Sequence, residues 1–156
     1  MSERGTNWLL PKMIKSEGDV RQWLRARFGM GLLWIEPSAG STFGIPDSLL
    51  LIGDGRTIFI EAKLAVGKGP FRFKVRAGQR LLFKRLMMLR QPVLFAIGIK
   101  GTSEVVLVPA TFETCSGVLM FFAVEEYRKK GIDKTLLDCL KLRPPRKSRK
   151  LTPGDD

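Results

Sequence analysis

Histidine is absent from this sequence, and cysteine occurs only at Cys115 and Cys139. Without histidine the chain cannot carry Ser–His–Asp or Cys–His catalysis, a histidine-bound metal or an HExxH protease site. The two cysteines are far apart and form no CxxC motif, so they predict neither a disulfide framework nor a zinc site. We expect two buried free thiols. Any acid–base or metal chemistry must come from carboxylates, lysines, the single tyrosine and water.

Long apolar runs are missing as well. No run reaches the roughly 18 residues that a membrane-spanning helix needs, and Met1–Lys12 lacks the continuous apolar stretch of a secretory signal. We therefore expect a soluble, intracellular (cytoplasmic) protein without a membrane partner. The chain has 156 residues. Since domains commonly hold about 100–150 residues, the length predicts one domain over residues 1–142.

Acidic residues are few compared with basic ones. The chain has 15 Asp and Glu against 27 Lys and Arg, and its formal net charge is +12. Such an excess predicts a polyanionic partner, with nucleic acid first and an anionic membrane surface second. Part of the charge lies in residues 143–156, which are Pro-rich and almost without apolar residues. This composition predicts a disordered basic tail.

The spacing of apolar residues predicts an α/β fold with a central mixed sheet of four or five strands flanked by helices. Ser16 followed by Asp19 resembles a capping box and predicts a helix over Glu17–Phe28. A second helix is expected at Arg76–Arg90. The other expected elements are strands at Leu32–Glu36, Leu49–Ile52, Thr57–Glu61, Pro92–Ile99 and Val105–Val108, a loop at Leu64–Val75, an extended segment at Val118–Val124 and a helix at Lys134–Leu142.

The acids Asp47 and Glu61 flank a predicted hairpin, and the turn decides whether they meet. A two-residue turn would place Asp47 opposite Ala62, on the other face from Glu61. A three-residue loop, Gly53-Asp54-Gly55, would place Asp47 directly across from Glu61. Such a loop needs a left-handed residue at its last position, which Gly55 supplies. We therefore favour the three-residue loop, which brings the two carboxylates within reach of one small cation.

Lys63 completes this candidate site, because residues two apart on a strand point to the same face. Two close acids repel each other unless a cation or a proton compensates. Mg²⁺ prefers oxygen ligands and keeps several waters, and a water acidified by the metal can attack phosphorus. Lys63 would orient that water or stabilise the developing charge. The alternatives are a turn at a strand entry for Asp47 and a solvated strand end for Glu61 and Lys63.

The motifs Gly44-Ile45-Pro46-Asp47 and Glu61-Ala62-Lys63, followed by Arg76-Ala77-Gly78-Gln79, resemble the PD-(D/E)xK nuclease superfamily. They are most similar to the VRR-NUC and phage-type Holliday-junction resolvase domains, and the resemblance covers about residues 16–99. It implies a restriction-endonuclease-like core of order αβββαβ. It also implies a DNA endonuclease that depends on Mg²⁺ or Mn²⁺ and cuts branched or junction DNA, encoded by a phage or a mobile element.

The same resemblance assigns roles to three further residues. Glu17 on the first helix would assist metal binding, although an acid in a first turn also favours the helix dipole. Gln79 would join Asp47, Glu61 and Lys63 as a catalytic residue, and it shares the apolar stripe of its helix. The alternative is a surface glutamine. The backbone carbonyl of Ala62 would be a further metal ligand.

A basic run lies beside the proposed site and is interleaved with Phe71 and Phe73. We expect it to grip the DNA backbone, which supplies affinity but little sequence information. The alternative is a solvated loop whose two phenylalanines enter the core. The residues expected to contact DNA are Lys68, Arg72, Lys74, Arg76 and Arg80.

Two rival functions and one question of assembly stay open at this point. The chain could be a site-specific endonuclease of restriction or homing type, or a non-catalytic nucleic-acid-binding protein with the same fold. We also leave open whether it forms a homodimer. The apolar segment Val118–Val124 is the candidate surface for a dimer, or else it is an edge strand.

Overall fold

A five-stranded mixed sheet forms the centre of the molecule in the computed structural model, which describes residues 9–35 and 45–141. The end of the first predicted strand at Glu36, the end of the last predicted helix at Leu142, the motif residue Gly44 and the basic tail lie outside the described residues. The elements in chain order are α1 (Glu17–Phe28), a 3₁₀ turn (Gly29–Gly31), β1 (Leu32–Trp34), β2 (Ser48–Leu51), β3 (Thr57–Ala65), β4 (Phe71–Arg72), α2 (Ala77–Met88), β5 (Val93–Ile99), β6 (Val105–Pro109), α3 (Phe112–Cys115), β7 (Val118–Leu119), α4 (Phe121–Lys130) and α5 (Ile132–Lys141).

The strand order in the large sheet is β1-β2-β3-β5-β6. The pairs β1–β2, β2–β3 and β5–β6 are antiparallel, whereas β3 and β5 are parallel. A parallel pair needs a crossover connection, and α2 supplies it between β3 and β5. All seven residues of β5 are buried, as expected for a strand in the middle of a sheet. The predicted α/β architecture with a mixed central sheet is therefore confirmed.

Helices cover both faces of the sheet, and alternate residues of β3 point to opposite layers. Ile58, Ile60 and Ala62 enter the core that the sheet forms with α1 and α5. Since side chains alternate along a strand, Glu61 and Lys63 point to the other layer, where Phe83 of α2 is fully buried. The two residues of the candidate site therefore face α2.

The helix α1 begins and ends where its sequence predicts. The hydroxyl of Ser16 accepts a hydrogen bond from the Asp19 N–H at 3.3 Å, and the Asp19 carboxylate accepts one from the Ser16 N–H at 3.1 Å. This reciprocal capping box satisfies backbone donors that would otherwise lack partners at the start of the helix. The prediction of a capping box with aspartate is confirmed.

Two other expectations about secondary structure are wrong. The strand β3 continues to Ala65, and β4 lies inside the segment that was expected to be a loop. The segment Val118–Val124 is not one extended piece: β7 ends at Leu119 and α4 begins at Phe121. A short apolar run cannot distinguish a strand from a helix. Here only Val118 and Leu119 pair with β4, so the strand contains only these two residues. Val118–Val124 is therefore not a single edge strand, and whether the chain forms a homodimer stays a prediction.

The structure describes both cysteines and the apolar character of the helices. Cys115 and Cys139 are both free and buried, as predicted. Within residues 9–35 and 45–141, none of the helices combines the length and the apolar character that crossing a bilayer requires.

Gly98 of β5 permits close packing of α1 on the sheet and leads to a first prediction. A Cβ atom on Gly98 would lie 2.5 Å from the Cγ2 of Val20 and 2.7 Å from the Cγ2 of Ile14, and both side chains are fully buried. Because overpacking a tight core is destabilising, Gly98→Ala is expected to lower the free energy of unfolding by about 1–3 kcal/mol. Urea denaturation measures this change.

The matched control is Gly53→Ala. A Cβ atom there meets no atom within 4 Å, so we expect a change within about 0.5 kcal/mol. Equal effects of the two substitutions would contradict the packing argument.

Candidate active site

The β2–β3 hairpin has the register that brings the two acids together. Ser48 pairs with Ile60 and Leu50 pairs with Ile58. The Ile52 N–H donates to the carbonyl of Arg56 at 2.8 Å, which closes a loop of three residues, and Gly55 has a φ of 91°. The prediction of a three-residue loop with a left-handed glycine at its end is confirmed. The same register, continued by one residue, sets Asp47 opposite Glu61.

Asp47 and Glu61 are joined through backbone groups. The Asp47 N–H donates to Glu61 Oε1 at 3.0 Å, and the Ala62 N–H donates to Asp47 Oδ2 at 3.0 Å. The strand β2 begins only at Ser48, so the Asp47 carboxylate takes the Ala62 N–H in place of a backbone carbonyl. The carboxylates of Asp47 and Glu61 are thereby held against the same edge of β3.

Gln79 connects the acid to the lysine. Its Nε2 donates to Glu61 Oε2 at 2.8 Å, and its Oε1 accepts a hydrogen bond from Lys63 Nζ at 2.8 Å. The same Oε1 accepts the Arg76 N–H at 3.3 Å, so Gln79 also caps the start of α2. The exposed fractions of Glu61, Lys63 and Gln79 are 3%, 4% and 3%. Gln79 is therefore a buried part of the site and not a surface residue.

The electrostatics of this cluster favour an additional positive charge. Burial, and secondly the charge of Asp47, raise the pKa of Glu61 from its ordinary value of 4.5 to about 7. The nearby Lys63, whose Nζ is 3.4 Å from Glu61 Oε2, and the hydrogen bond from Gln79 lower this pKa without cancelling the increase. Glu61 therefore holds a proton more readily than an ordinary surface carboxylate does.

Arg21 of α1 extends the cluster, although no motif of the sequence assigned it to the site. Its Nε lies 3.9 Å from Asp47 Oδ2, and its guanidinium lies 3.5 Å from Glu17 Oε1. The sequence predicted a metal-binding role for Glu17 only through the family resemblance. In the structure Glu17 is half-exposed. It contacts Arg21, and Arg21 in turn approaches Asp47. The i,i+4 spacing of Glu17 and Arg21 was the available signal for their pairing.

The donor set suits a small, hard cation held largely by water. No group of three or more His, Cys, Asp or Glu side chains in residues 9–35 and 45–141 is placed to hold a metal ion. A Mg²⁺ site, however, commonly uses one or two carboxylates and keeps several waters. Asp47 and Glu61 provide two such carboxylates on one edge of β3. Because the N–H and C=O of one strand residue point to the same side, the Ala62 carbonyl is directed towards Asp47.

The basic run alternates between the core and the solvent. Phe71 and Phe73 are buried in the core between the sheet and α2, which is the alternative that sequence analysis left open. The cations between and beside them point outwards, as the residue pattern of a strand predicts. No Asp or Glu occurs between Glu61 and Glu104, so this stretch of the chain contributes charge of one sign to the surface. The exposed residues are Lys68, Arg72, Lys74, Arg76 and Arg80.

The structure thus brings four of the predicted site residues into one hydrogen-bonded cluster: Asp47, Glu61, Lys63 and Gln79. Their roles in metal binding and catalysis, and those of Glu17 and the Ala62 carbonyl, stay predictions. We compared the chain with models of protein families, with curated proteins and with solved structures, and none of them matches it. The site is therefore interpreted from its own geometry.

Proposed function

We propose that this protein is a metal-dependent DNA endonuclease that hydrolyses phosphodiester bonds. The observation that carries the proposal is the convergence of Asp47 and Glu61, from adjacent strands, with the ammonium group of Lys63. A solvated strand end would not bury an acid and a lysine to this degree, nor tie both to a helix through one glutamine. The arrangement is the one expected from the resemblance to PD-(D/E)xK nucleases.

Asp47 and Glu61, with the Ala62 carbonyl, would hold Mg²⁺ or Mn²⁺. When bound, such an ion acidifies a coordinated water and stabilises negative charge on the phosphate. The contact with Ala62 occupies Asp47 Oδ2, so a cation bound at Oδ1 would leave that contact intact. The backbone contacts described above hold both carboxylates in place in advance, which reduces the cost of ordering them.

Lys63 would act on the reacting phosphate or on the attacking water. Its ammonium group is held by Gln79 Oε1 and lies beside Glu61, so its position is set before substrate binds. A fixed positive charge in a water-poor site stabilises developing negative charge more strongly than the same charge in water. Arg21, whose Nε lies 3.9 Å from Asp47 Oδ2, is a second cation that would contact a phosphate bound at the metal.

The DNA would lie across the exposed cations of the loop between β3 and α2. Lys and Arg contacts to phosphates supply affinity that depends steeply on salt and little on sequence. Contacts of this kind favour recognition of DNA shape, as in branched or junction DNA. The alternative function is a site-specific endonuclease of restriction or homing type. A homodimer is the alternative state of assembly.

The proposal is tested by incubating the purified chain with branched, nicked, linear and single-stranded DNA in Mg²⁺, Mn²⁺ or EDTA. We expect cleavage of at least the branched substrate with either metal and none with EDTA. Binding without cleavage in both metals would favour the rival, a non-catalytic nucleic-acid-binding protein with this fold.

Gln79 provides a prediction about positioning. Gln79→Ala removes the hydrogen bonds that orient Glu61 and Lys63, and loss of such supporting contacts typically costs about 10–100-fold. We expect kcat to fall by this factor with little change in KM. The measurement is steady-state cleavage at saturating metal.

The matched control is Gln91→Ala, at the other end of α2, where the Gln91 side chain donates to the Thr57 carbonyl. It should cut at the wild-type rate. A Gln79→Ala protein that is folded and equally active would contradict the positioning role.

A further inference from the structure

Two adjacent phenylalanines stand in solvent at the start of α4. The exposed fractions of Phe121 and Phe122 are 52% and 69%. Leaving two large rings in water forgoes the free energy that their burial would provide. Neither ring belongs to the hydrogen-bonded cluster of the candidate active site.

A series of paired backbone segments links β3, which carries Glu61 and Lys63, to the start of α4, which carries the two rings. Just beyond the end of β3, Val66 and Arg72 exchange two hydrogen bonds of 2.9 Å. Arg72 in turn pairs with Val118 of β7. Since α4 begins shortly after β7, the two phenylalanines lie on the same side of the molecule as the loop that follows the strand of Lys63.

The two rings are held differently. Phe121 stacks on the buried Phe71, with ring centroids 6.5 Å apart and planes 19° apart. It also lies against the loop backbone, because a Cβ atom on Gly69 would be 3.6 Å from the Phe121 Cβ. Phe122 is the more exposed of the pair. Phe121 is therefore a fixed ring and Phe122 a projecting one.

The loop against which Phe121 packs carries exposed cations. Lys68 is the chain neighbour of Gly69, and Arg72 lies on the solvent side of β4, opposite to Phe71. An aromatic face next to a basic loop is complementary to a nucleotide, which presents a π-face and a phosphate.

We propose that Phe121 and Phe122 form a stacking site for unpaired bases of the DNA that the candidate active site would cut. The inference rests on the proposed function and narrows its substrate to DNA with a single-stranded segment next to the cut. Paired bases inside a duplex present their faces to one another, so only unpaired bases can stack on protein rings.

Two other occupants fit less well. An anionic membrane fits less well, because membrane-surface helices carry a broad apolar face beside a basic polar one, whereas the exposed large apolar side chains of α4 are those of Phe121 and Phe122. In a symmetric dimer the same patch faces itself. The exposed cations of the adjoining loop would then oppose cations.

The experiment measures binding by fluorescence anisotropy in EDTA, so that hydrolysis cannot contribute. The probes are a fully paired duplex and the same duplex with a single-stranded flap. The variants are Phe122→Leu alone and Phe121→Leu/Phe122→Leu, which keep apolar volume but remove the rings. The control is Phe112→Leu, since Phe112 is 68% exposed on α3, outside this patch. Unfolding midpoints of all variants are measured in parallel.

We expect the wild type to prefer the flap probe, and the double variant to lose about 10-fold in affinity for that probe while duplex binding changes less than about 2-fold. Phe122→Leu alone should show part of this loss, and it leaves the Phe121–Phe71 stack intact.

Three results would overturn the inference: no preference of the wild type for the flap, an equal loss in Phe112→Leu, or Phe-dependent binding to phosphatidylserine vesicles without a Phe-dependent effect on DNA. The preference for the flap can survive if the wild type cuts nothing, in which case only the proposed nuclease function fails. Conversely, a wild type that cuts but shows no Phe-dependent preference removes this inference alone.

Discussion

Glu61→Gln is expected to reduce DNA cleavage in Mg²⁺ by on the order of 10³-fold or more, because it removes one of the two negative charges that would hold the cation. The side-chain volume is nearly unchanged, so the packing around Lys63 is kept. Asp47→Asn and Lys63→Ala should cause losses of the same order. The measurement is single-turnover cleavage of the best substrate found for the wild type.

DNA affinity in EDTA should stay close to that of the wild type, since the exposed cations of the loop provide the contacts to the backbone. The control is Glu113→Gln, an exposed acid in the first turn of α3, which should cut at the wild-type rate. If a folded Glu61→Gln protein retained more than about a tenth of the wild-type rate, Glu61 would not be a metal ligand and the proposed site would be wrong.

The second large effect is on the pH dependence of stability in the absence of metal. The pKa of Glu61 is about 7 in the folded chain against 4.5 for an ordinary glutamate. The folded state therefore keeps a proton that the unfolded state releases between these values. The contribution of this group to stability is complete below about pH 4.5 and is lost as the pH rises through about 7. A shift of this size corresponds to about 3 kcal/mol in the free energy of unfolding.

The measurement is urea denaturation of the wild type and of Glu61→Gln at several pH values, in EDTA. Because the variant lacks the titrating group, the difference between the two free energies of unfolding isolates the contribution of Glu61. From acidic to mildly alkaline pH, we expect the free energy of unfolding of the wild type to fall by about 3 kcal/mol relative to that of Glu61→Gln. A difference that is independent of pH would show that the pKa of Glu61 is ordinary.

Metal should act in the opposite direction to the proton. A cation binds the ionised carboxylate, so Mg²⁺ competes with the proton at Glu61 and stabilises the folded wild type by mass action. The stabilisation should be larger at alkaline than at acidic pH and should be absent in Glu61→Gln. An equal stabilisation of both proteins would mean that the metal binds elsewhere.

Local sequence patterns were sufficient to predict much of the backbone structure that carries this site. The capping box predicted the start of α1 correctly, because its hydrogen bonds join residues within one turn. The register of the hairpin also followed from local chemistry. Gly55 tolerates the left-handed backbone that a three-residue loop requires, and this loop sets Asp47 opposite Glu61. Gln79 was expected to face the sheet because it shares the apolar stripe of α2.

Other features depended on contacts between distant segments. The segment Val118–Val124 divides into β7 and α4 because β7 pairs with β4, which lies far away in sequence. The burial of Phe71 and Phe73 follows from the same pairing and from the packing of α2. Arg21 approaches Asp47 because α1 packs across β3. The i,i+4 spacing predicts only its pairing with Glu17.

By itself the sequence determined the residue types of the candidate site, the turn that aligns its two acids and the excess of positive charge beside it. Only the tertiary structure decided that Glu61 and Lys63 are buried, that Gln79 bridges them, and that Arg21 approaches Asp47. The physical reason is the range of the interactions. Capping and turn geometry act over a few residues, whereas desolvation and the pairing of charges depend on which distant elements exclude water from the same place.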